Sequence, residues 1–209
     1  MQAAIAQSWD PSYATSKRWY VHLLPSLTDF AFLLPLFLLF ALLPGGQLLL
    51  SDGDTGWHIR TGDWILQHAA VPRVDLFSFS KPHQAWFAWE WGWDVIFSAI
   101  HRVAGLEGVV VVNAVLLGLM SALLFRLIRR RSNNDAIAVL FTLLAVCATM
   151  MHWLARPHLV SWICVLLFLH VIASAETGRY RGLYWLPLIT LLWTNLHAGF
   201  PVGILLLVA

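Results

Sequence analysis

Residues 48–64 of the chain read LLLSDGDTGWHIRTGDW, and along them the sequence changes abruptly from apolar to charged. A long apolar run leads directly into Asp52 and Asp54, and His58 and Arg60 follow within two helical turns. A helix needs about 20 apolar residues to cross the hydrocarbon core of a membrane. The stretch therefore predicts that a membrane span ends here and that its carboxylates lie at the membrane edge.

The composition of the whole chain points to lipid as its solvent. Of the 209 residues, 59% are hydrophobic and 11% are charged, whereas ordinary soluble domains are about 25% charged. A soluble protein of this size could not bury so much apolar surface, so we expect an all-α, polytopic membrane protein. The sequence holds no nucleic-acid-binding or nucleotide-cradling motif, which argues against a nucleic-acid partner and against a sugar nucleotide as donor.

Six apolar segments are candidates for membrane spans. The first, residues 29–50, is expected to be kinked or broken near Pro44-Gly45-Gly46. The membrane domain is expected to cover residues 29–209, after an N-terminal segment of residues 1–28. Its last apolar run reaches the end of the chain, so we expect this to be the N-terminal part of a longer protein. The further spans are expected at residues 108–128, 136–153, 158–175 and 182–194, with a sixth beginning near Phe200.

Lysine and arginine mark one side of these spans, and cytoplasmic loops collect such residues. An alternating path through the membrane brings the basic residues near the span ends to that side, and they predict a multi-pass protein of the plasma (inner) membrane with a cytoplasmic N-terminus. The loop 51–107 and the turns HWLARPH and TNLHAGF then lie on the extracytoplasmic side. The basic residues are Lys17, Arg18, Arg126, Arg129, Arg130, Arg131, Arg179 and Arg181.

The outward loop is long for a connection and holds two predicted helices. In the first, over residues 54–69, Asp54 can cap the helix, and it shares a face with His58, four residues further on. The second, over residues 88–105, is amphipathic and suits a position parallel to the membrane surface. One arc of the second helix holds Glu90, Asp94 and His101, and another holds Trp93, Ile96, Ile100 and Val103.

Each polar feature near this surface also has a purely structural explanation. Asp52 and Asp54 can be a polar stop and a helix cap, and the acids of the second helix can be its solvated face. The turn around Arg156 can be an ordinary polar turn, and His197 can be a satisfied histidine at a span end. Because polar groups at membrane depth are costly and usually face a cavity, their shared side favours function. The loop tryptophans fit an interfacial belt, with sugar stacking as the other interpretation: Trp86, Trp89, Trp91 and Trp93.

The order of these features resembles the membrane-embedded GT-C glycosyltransferases. The resemblance covers roughly residues 29–209 and is greatest to bacterial members akin to the mannosyltransferase-like and lipid A sugar-transferase-like proteins. It implies a donor sugar on a polyprenyl phosphate, whose tail lies in lipid and whose sugar lies at the outer surface. The segments that carry it are DGDTGWHIRTGDWILQH, VPRVDLFSFS, WFAWEW, ARPHLVSW and LLWTNLHAGFPVGILL.

The resemblance also implies roles for particular residues. Asp52 or Asp54 would take the proton from the acceptor hydroxyl as a general base. Arg156 would bind the leaving phosphate, with His158 and His197 assisting. Paired carboxylates suit Mg²⁺ or Mn²⁺, so Asp52 and Asp54 are candidate ligands of a metal whose requirement the sequence leaves open. The residues expected to bind substrate are His58, Arg60, Glu90, Asp94, Arg156, His158, Asn195 and His197.

Two other functions compete with a glycosyltransferase. A transporter or flippase of a lipid-linked or polar solute would place polar residues near the bilayer midplane, often in broken helices. A non-catalytic scaffold would use the aromatic loop to bind partners, but it leaves Asp52, Asp54 and Arg156 unexplained. Most ionisable groups are expected at the outer edge, which favours sugar transfer at the extracytoplasmic face. The sequence leaves the sugar and the acceptor open.

Overall fold

The computed structural model of the chain describes residues 24–208, which fold as helices joined by short connections, except for a long irregular segment, residues 69–90. The predicted all-helical fold is confirmed for this part of the chain, while Lys17 and Arg18 of the predicted cytoplasmic segment lie outside it. The helices are α1 (Leu27–Phe37), α2 (Gly46–Leu49), α3 (Asp54–His68), α4 (Trp91–Ser132), α5 (Asp135–Thr149), α6 (His158–Ala175), α7 (Leu186–Leu196) and α8 (Pro201–Val208). A π-helix (Leu38–Leu42) continues α1, a 3₁₀ helix (Met150–His152) continues α5, and another (Tyr180–Trp185) precedes α7.

Three helical segments are long and apolar enough to cross a membrane: Trp91–Ser132, Asp135–His152 and His158–Ala175. The last two agree with the spans predicted at residues 136–153 and 158–175. The apolar helix Leu27–Leu42 is shorter, because the first predicted span breaks where the sequence indicated. The connection after Leu42 turns at Gly45, whose φ of 57° lies in the left-handed region that glycine adopts without strain.

Helix α4 consists of two helical parts joined at Gly105. This residue has φ 63° and ψ −161°, a combination that is essentially restricted to glycine. The sequence predicted two separate segments, the amphipathic helix 88–105 and the span 108–128, and the junction falls between them. We call residues 91–104 the loop half of α4 and residues 106–132 its long half.

Helix α3 lies beside the loop half of α4 and runs in the same direction. Gly62 permits this close approach, because a Cβ atom there would lie 1.9 Å from the backbone oxygen of Asp94. Further along, the Asp63 carboxylate accepts hydrogen bonds from Ser98 (2.8 Å) and Arg102 (3.0 Å). The two loop helices therefore form one packed unit.

This packing corrects the expected orientation of the second loop helix. Its acidic arc is not solvated, since Asp94 is only 3% exposed and faces α3. Trp93, expected in the apolar arc and the aromatic belt, is also buried and packs against Phe97 with ring centroids 4.2 Å apart. Ile96 and Val103 remain exposed. A helical wheel separates these arcs but does not say which of them a neighbouring helix will cover.

Candidate functional site

Two backbone contacts bring the first acidic connection to the turn before α6. The Ala155 amide donates a hydrogen bond to the Leu49 carbonyl (2.8 Å), and the Thr55 hydroxyl donates to the Ala155 carbonyl (3.1 Å). Ala155 is fully buried. These contacts place the residues that follow Leu49 directly opposite Arg156.

Arg156 forms ion pairs with both aspartates through the same nitrogen. Its Nη2 atom contacts Asp52 and lies 2.5 Å from the Asp54 carboxylate. Asp52 also accepts the Asp54 backbone N–H at 3.0 Å, so Asp52 takes the helix-capping role that the sequence predicted for Asp54. The Asp54 N–H, and next the Arg156 side chain, hold the pKa of Asp52 below its usual value. A carboxylate stabilised in this way as an anion is a weak proton acceptor.

Arg156 keeps donors beyond those used by the aspartates. Its Nε atom is shielded from solvent and has no hydrogen-bond partner among the described residues. A guanidinium carries five N–H donors. The side chain can therefore bind a further acceptor while its Nη2 remains on the acids.

A second cluster lies where α3 meets α4. The Nδ1 atom of His58 is 2.6 Å from a carboxylate oxygen of Asp94, and both side chains are buried. When Asp94 is ionised its carboxylate can only accept, so this hydrogen bond then requires the proton on Nδ1 and leaves the lone pair on Nε2. Nε2 faces Glu90, whose nearest carboxylate oxygen is 3.9 Å away, beyond hydrogen-bond distance.

Glu90 also faces His197, whose Nε2 lies 3.5 Å from its other carboxylate oxygen. His197 Nδ1 lies 2.6 Å from Ser161 Oγ and 3.2 Å from the Gly199 N–H. Ser161 accepts the Trp193 indole N–H at 2.6 Å and so has its hydroxyl proton left for Nδ1. This order of donors assigns the proton of neutral His197 to Nε2, facing Glu90.

Burial shifts the pKa values of both groups toward the neutral form. It raises the pKa of Glu90, chiefly because desolvation penalises its charge. Burial also lowers the pKa of His197, with smaller contributions from the charges of His158 and His58. Perturbed titratable groups that meet in a cleft are typical of functional sites.

These clusters line two adjoining clefts, which share Asp54, His58 and Glu90. The first has a volume of about 550 Å³ and holds the residues that we call the basic lobe: His152, Arg156, His158, Trp162 and His197. The second has a volume of about 370 Å³ and holds the residues that we call the aromatic lobe: Trp57, Trp86, Phe87 and Trp89. The three shared residues therefore stand at the junction of the lobes.

The structure brings together most of the residues predicted for the site. Asp94 lines the second cleft, and Asp52 contacts Arg156, which lines the first. The predicted residues that line the first cleft are Asp54, His58, Glu90, Arg156, His158 and His197. Arg60 does not join them, because it is two residues from His58 and so points to another side of the helix. Its side chain is 71% exposed, with Asp63 at 3.8 Å.

Asn195 also lies outside the two clefts. Its amide oxygen accepts the Trp91 indole N–H at 2.8 Å, and it lines a third cavity of about 370 Å³, which borders the aromatic lobe at Phe87 and Trp89. Sequence reasoning missed His152, Ser161 and Trp162. The last two follow His158 by three and four residues, so the face of a helix that starts at His158 would have indicated them.

The acid pair offers no clear metal site. Among the described residues, no group of three or more His, Cys, Asp and Glu side chains is arranged to hold a metal ion. Asp52 and Asp54 already face the Arg156 guanidinium, whose positive charge would oppose a cation between them.

Comparisons with known proteins add no family assignment. No family model matches the chain, and neither a curated protein nor a solved structure matches it significantly.

Proposed function

We propose that the chain is a membrane glycosyltransferase that moves a sugar from a polyprenyl-phosphate donor to an acceptor hydroxyl at the extracytoplasmic face. The observation that carries this proposal is the pair of adjoining clefts. A lobe rich in arginine and histidine meets a lobe of aromatic rings, and carboxylates and an imidazole stand between them. A transfer reaction needs two substrates and a proton acceptor at their meeting point, and this arrangement supplies a place for each.

The donor phosphate belongs in the basic lobe. Arg156 has donors to spare, and guanidinium groups match phosphate oxygens well. The N-terminal ends of α3, α4 and α6 all border the first cleft, through Asp54, Glu90 and His158. A helix N-terminus carries a partial positive charge that favours anions. A lipid phosphate held here would have its leaving-group charge offset from several directions.

The acceptor belongs in the aromatic lobe. Trp57 stands edge-on to Trp86, with ring centroids 6.2 Å apart, and Trp89 is largely exposed. Binding pockets commonly combine apolar and aromatic walls with a few placed polar groups. An acceptor against these rings would bring its hydroxyl toward the shared residues His58 and Glu90.

The location of the polar groups favours an enzyme over a transporter. A carrier is expected to place its polar residues near the membrane midplane. Here the ionisable residues of the clefts lie at the ends of helices. Two polar residues inside the apolar helices bond backbone carbonyls of the bundle: the Asn113 amide donates to the Val109 carbonyl one turn away, and His170 of α6 bonds the Leu123 carbonyl of α4.

The proposed function is tested by transfer of labelled sugar from polyprenyl phosphate sugars by the purified full-length protein. Arg156→Ala should raise the donor KM about tenfold or more, since a hydrogen bond to a charged group contributes roughly 1.5–3 kcal/mol. Arg131→Ala is the matched control, because Arg131 is paired to Glu176 away from both clefts. No transfer from a panel of such donors by the unchanged protein, or equal donor KM in both variants, would contradict the proposal.

The proposed orientation has its own test. A single cysteine at Lys81, in the loop, should react with an impermeant thiol reagent in intact cells, and one at Ser132 should not. Cys147 is exposed in the described structure, so it is first replaced by alanine. Reaction at Ser132 alone would place the clefts on the cytoplasmic side.

A further inference from the structure

We propose that His58, positioned by Asp94, is the proton acceptor of the transfer reaction, in place of the acid pair Asp52 and Asp54. This inference rests on the proposed function and deepens it, because it names the base. It is carried by the hydrogen bond between His58 and Asp94 and by the place of His58 at the junction of the two lobes.

The first step is the state of the imidazole. The 2.6 Å contact with Asp94 fixes the ring orientation, and an ionised Asp94 requires the proton of this bond on Nδ1. The lone pair of Nε2 then faces the cleft, and Glu90 at 3.9 Å is too distant to occupy it. Histidine is the commonest general base, and a carboxylate behind its other nitrogen stabilises the imidazolium that forms.

The acid pair Asp52 and Asp54 is the other candidate for the proton acceptor. Arg156 binds both Asp52 and Asp54 through one nitrogen, and the pKa of Asp52 is held below its usual value by the Asp54 N–H and by Arg156, which makes Asp52 a weaker base. His58 instead contacts carboxylates. The carboxylates facing it are Asp94 and Glu90, with Asp54 one turn before it on α3. The cationic or protonatable groups that line the same cleft are Arg156, His152, His158 and His197.

The third step is the chemistry. The acceptor oxygen forms a bond to the anomeric carbon of the sugar while its proton passes to His58 Nε2. The bond between that carbon and the phosphate oxygen breaks, and its electron pair stays on the phosphate, which leaves as polyprenyl phosphate beside Arg156. The imidazolium, held by Asp94, returns its proton to solvent as the products leave.

A buried histidine–aspartate pair can also serve only to hold two helices together, here α3 and the loop half of α4. The test therefore needs a variant that keeps this contact. His58→Asn places an amide N–H near the position of Nδ1, so it can still donate to Asp94, but it has no equivalent of Nε2. His68→Asn is the matched control, since it makes the same change on the same helix at an exposed histidine that lines neither cleft.

The experiment uses the full-length protein in lipid nanodiscs and measures kcat and donor KM for sugar transfer. His58→Asn should lower kcat about 10²–10⁴-fold with donor KM nearly unchanged, as expected for loss of a general base. His68→Asn should leave both kcat and donor KM nearly unchanged. The nitrogen-15 shifts of the His58 ring should place its proton on Nδ1, and melting temperatures check that each variant folds.

The outcomes separate this inference from the proposed function. If the unchanged protein transfers sugar and His58→Asn has the same kcat, the proposed function stands and the assignment of the base is overturned. A proton on Nε2 of His58 in the active protein overturns it as well. If His58→Asn does not fold, Asp94→Asn provides the decision: a lower kcat at equal donor KM supports the dyad, and an equal kcat overturns it. An unchanged protein without transfer activity removes both proposals.

Discussion

The two ends of the helix bundle use charge in different ways. At the end that we call distal, where α4 meets α5 and α6 ends, each of three consecutive arginines has partners of its own. Arg129 pairs with Asp135 (2.7 Å) and Arg131 pairs with Glu176. Arg130 donates to the Ser174 hydroxyl and the Ala173 carbonyl, each at 2.8 Å. At the cleft end, one arginine serves two aspartates, and one glutamate stands between two histidines.

The distal charges are explained by solubility and topology alone. The charges of the cleft end need a further explanation. The two distal ion pairs are about half exposed, and such pairs contribute little to stability. Most cleft groups are less exposed, since the side chains of Asp52, Glu90 and His58 are 22%, 25% and 11% exposed, whereas that of Asp54 is 57% exposed. Burying a charge is costly unless it is paired and hydrogen-bonded. The contrast teaches that the position of a charge in the packed structure, more than its presence in the sequence, marks a candidate site.

The largest expected effect tests the packing that desolvates the cleft end. Gly62→Ala should lower the free energy of unfolding by about 3 kcal/mol, the upper part of the range for overpacking, because the new Cβ meets backbone atoms of Asp94. Gly56→Ala, on the same helix with no atom within 4 Å of the added Cβ, should be neutral or stabilising. Thermal unfolding in one detergent measures both. Equal stability of the two variants would show that α3 and α4 are not packed so closely.

The helical elements themselves were largely predictable from the sequence. The spans at 136–153 and 158–175 follow from unbroken apolar runs of sufficient length, and the break after Leu42 follows from Pro44-Gly45-Gly46. What the sequence could not show is that Gly62 lets α3 approach Asp94. That contact depends on two segments more than 30 residues apart, and no local pattern encodes it.

The sequence predicts most residues of the candidate site, but not how they are arranged. The three outward connections were expected to bring acids, histidines and an arginine to one level, and the structure brings most of these residues to one cleft. The pairing of His58 with Asp94 is not predictable from the sequence. A helical wheel places Asp94 and Glu90 on one arc of the second loop helix, but it does not show which other helix packs against that arc. Arg60 was included although a helical wheel already places it away from His58.

The second prediction concerns the hydrogen-bond chain behind His197. Ser161→Ala should lower the free energy of unfolding by roughly 2 kcal/mol, because the fully buried Trp193 would lose the acceptor of its indole N–H. Ser132→Ala removes a partly exposed hydroxyl at the distal end that bonds the Asn134 backbone at 3.2 Å, and it should lower the free energy of unfolding by only about 0.5 kcal/mol. A loss as large in Ser132→Ala as in Ser161→Ala would contradict the contrast between the two ends.

The third prediction uses the pH dependence of stability. Burial raises the pKa of Glu90, so the folded state favours its neutral form. The contribution of Glu90 to stability is therefore present below its unfolded pKa and is lost as the pH rises through the folded pKa. Glu90→Gln, which cannot ionise, should gain in melting temperature relative to the unchanged protein as the pH is raised from about 4 to about 7. Glu176→Gln is the control, because it removes a carboxylate at the distal end. A difference in melting temperature between Glu90→Gln and the unchanged protein that does not vary with pH would contradict the burial of Glu90.

The smallest expected effect lies at the distal end, and it decides whether the contrast is energetic or only geometric. Arg131 and Glu176 form a two-point ion pair, but their side chains are 51% and 49% exposed. A double-mutant cycle with Arg131→Ala and Glu176→Ala should give a coupling of roughly 0.2–1 kcal/mol, which falls as salt is added because exposed charges are screened. The same cycle with Arg156→Ala and Asp52→Ala, whose side chains are 35% and 22% exposed, should give a larger coupling that salt reduces less. Equal coupling energies with equal salt dependence would mean that the two ends differ in geometry alone. The interaction energies of the cleft charges would then give no support to a function.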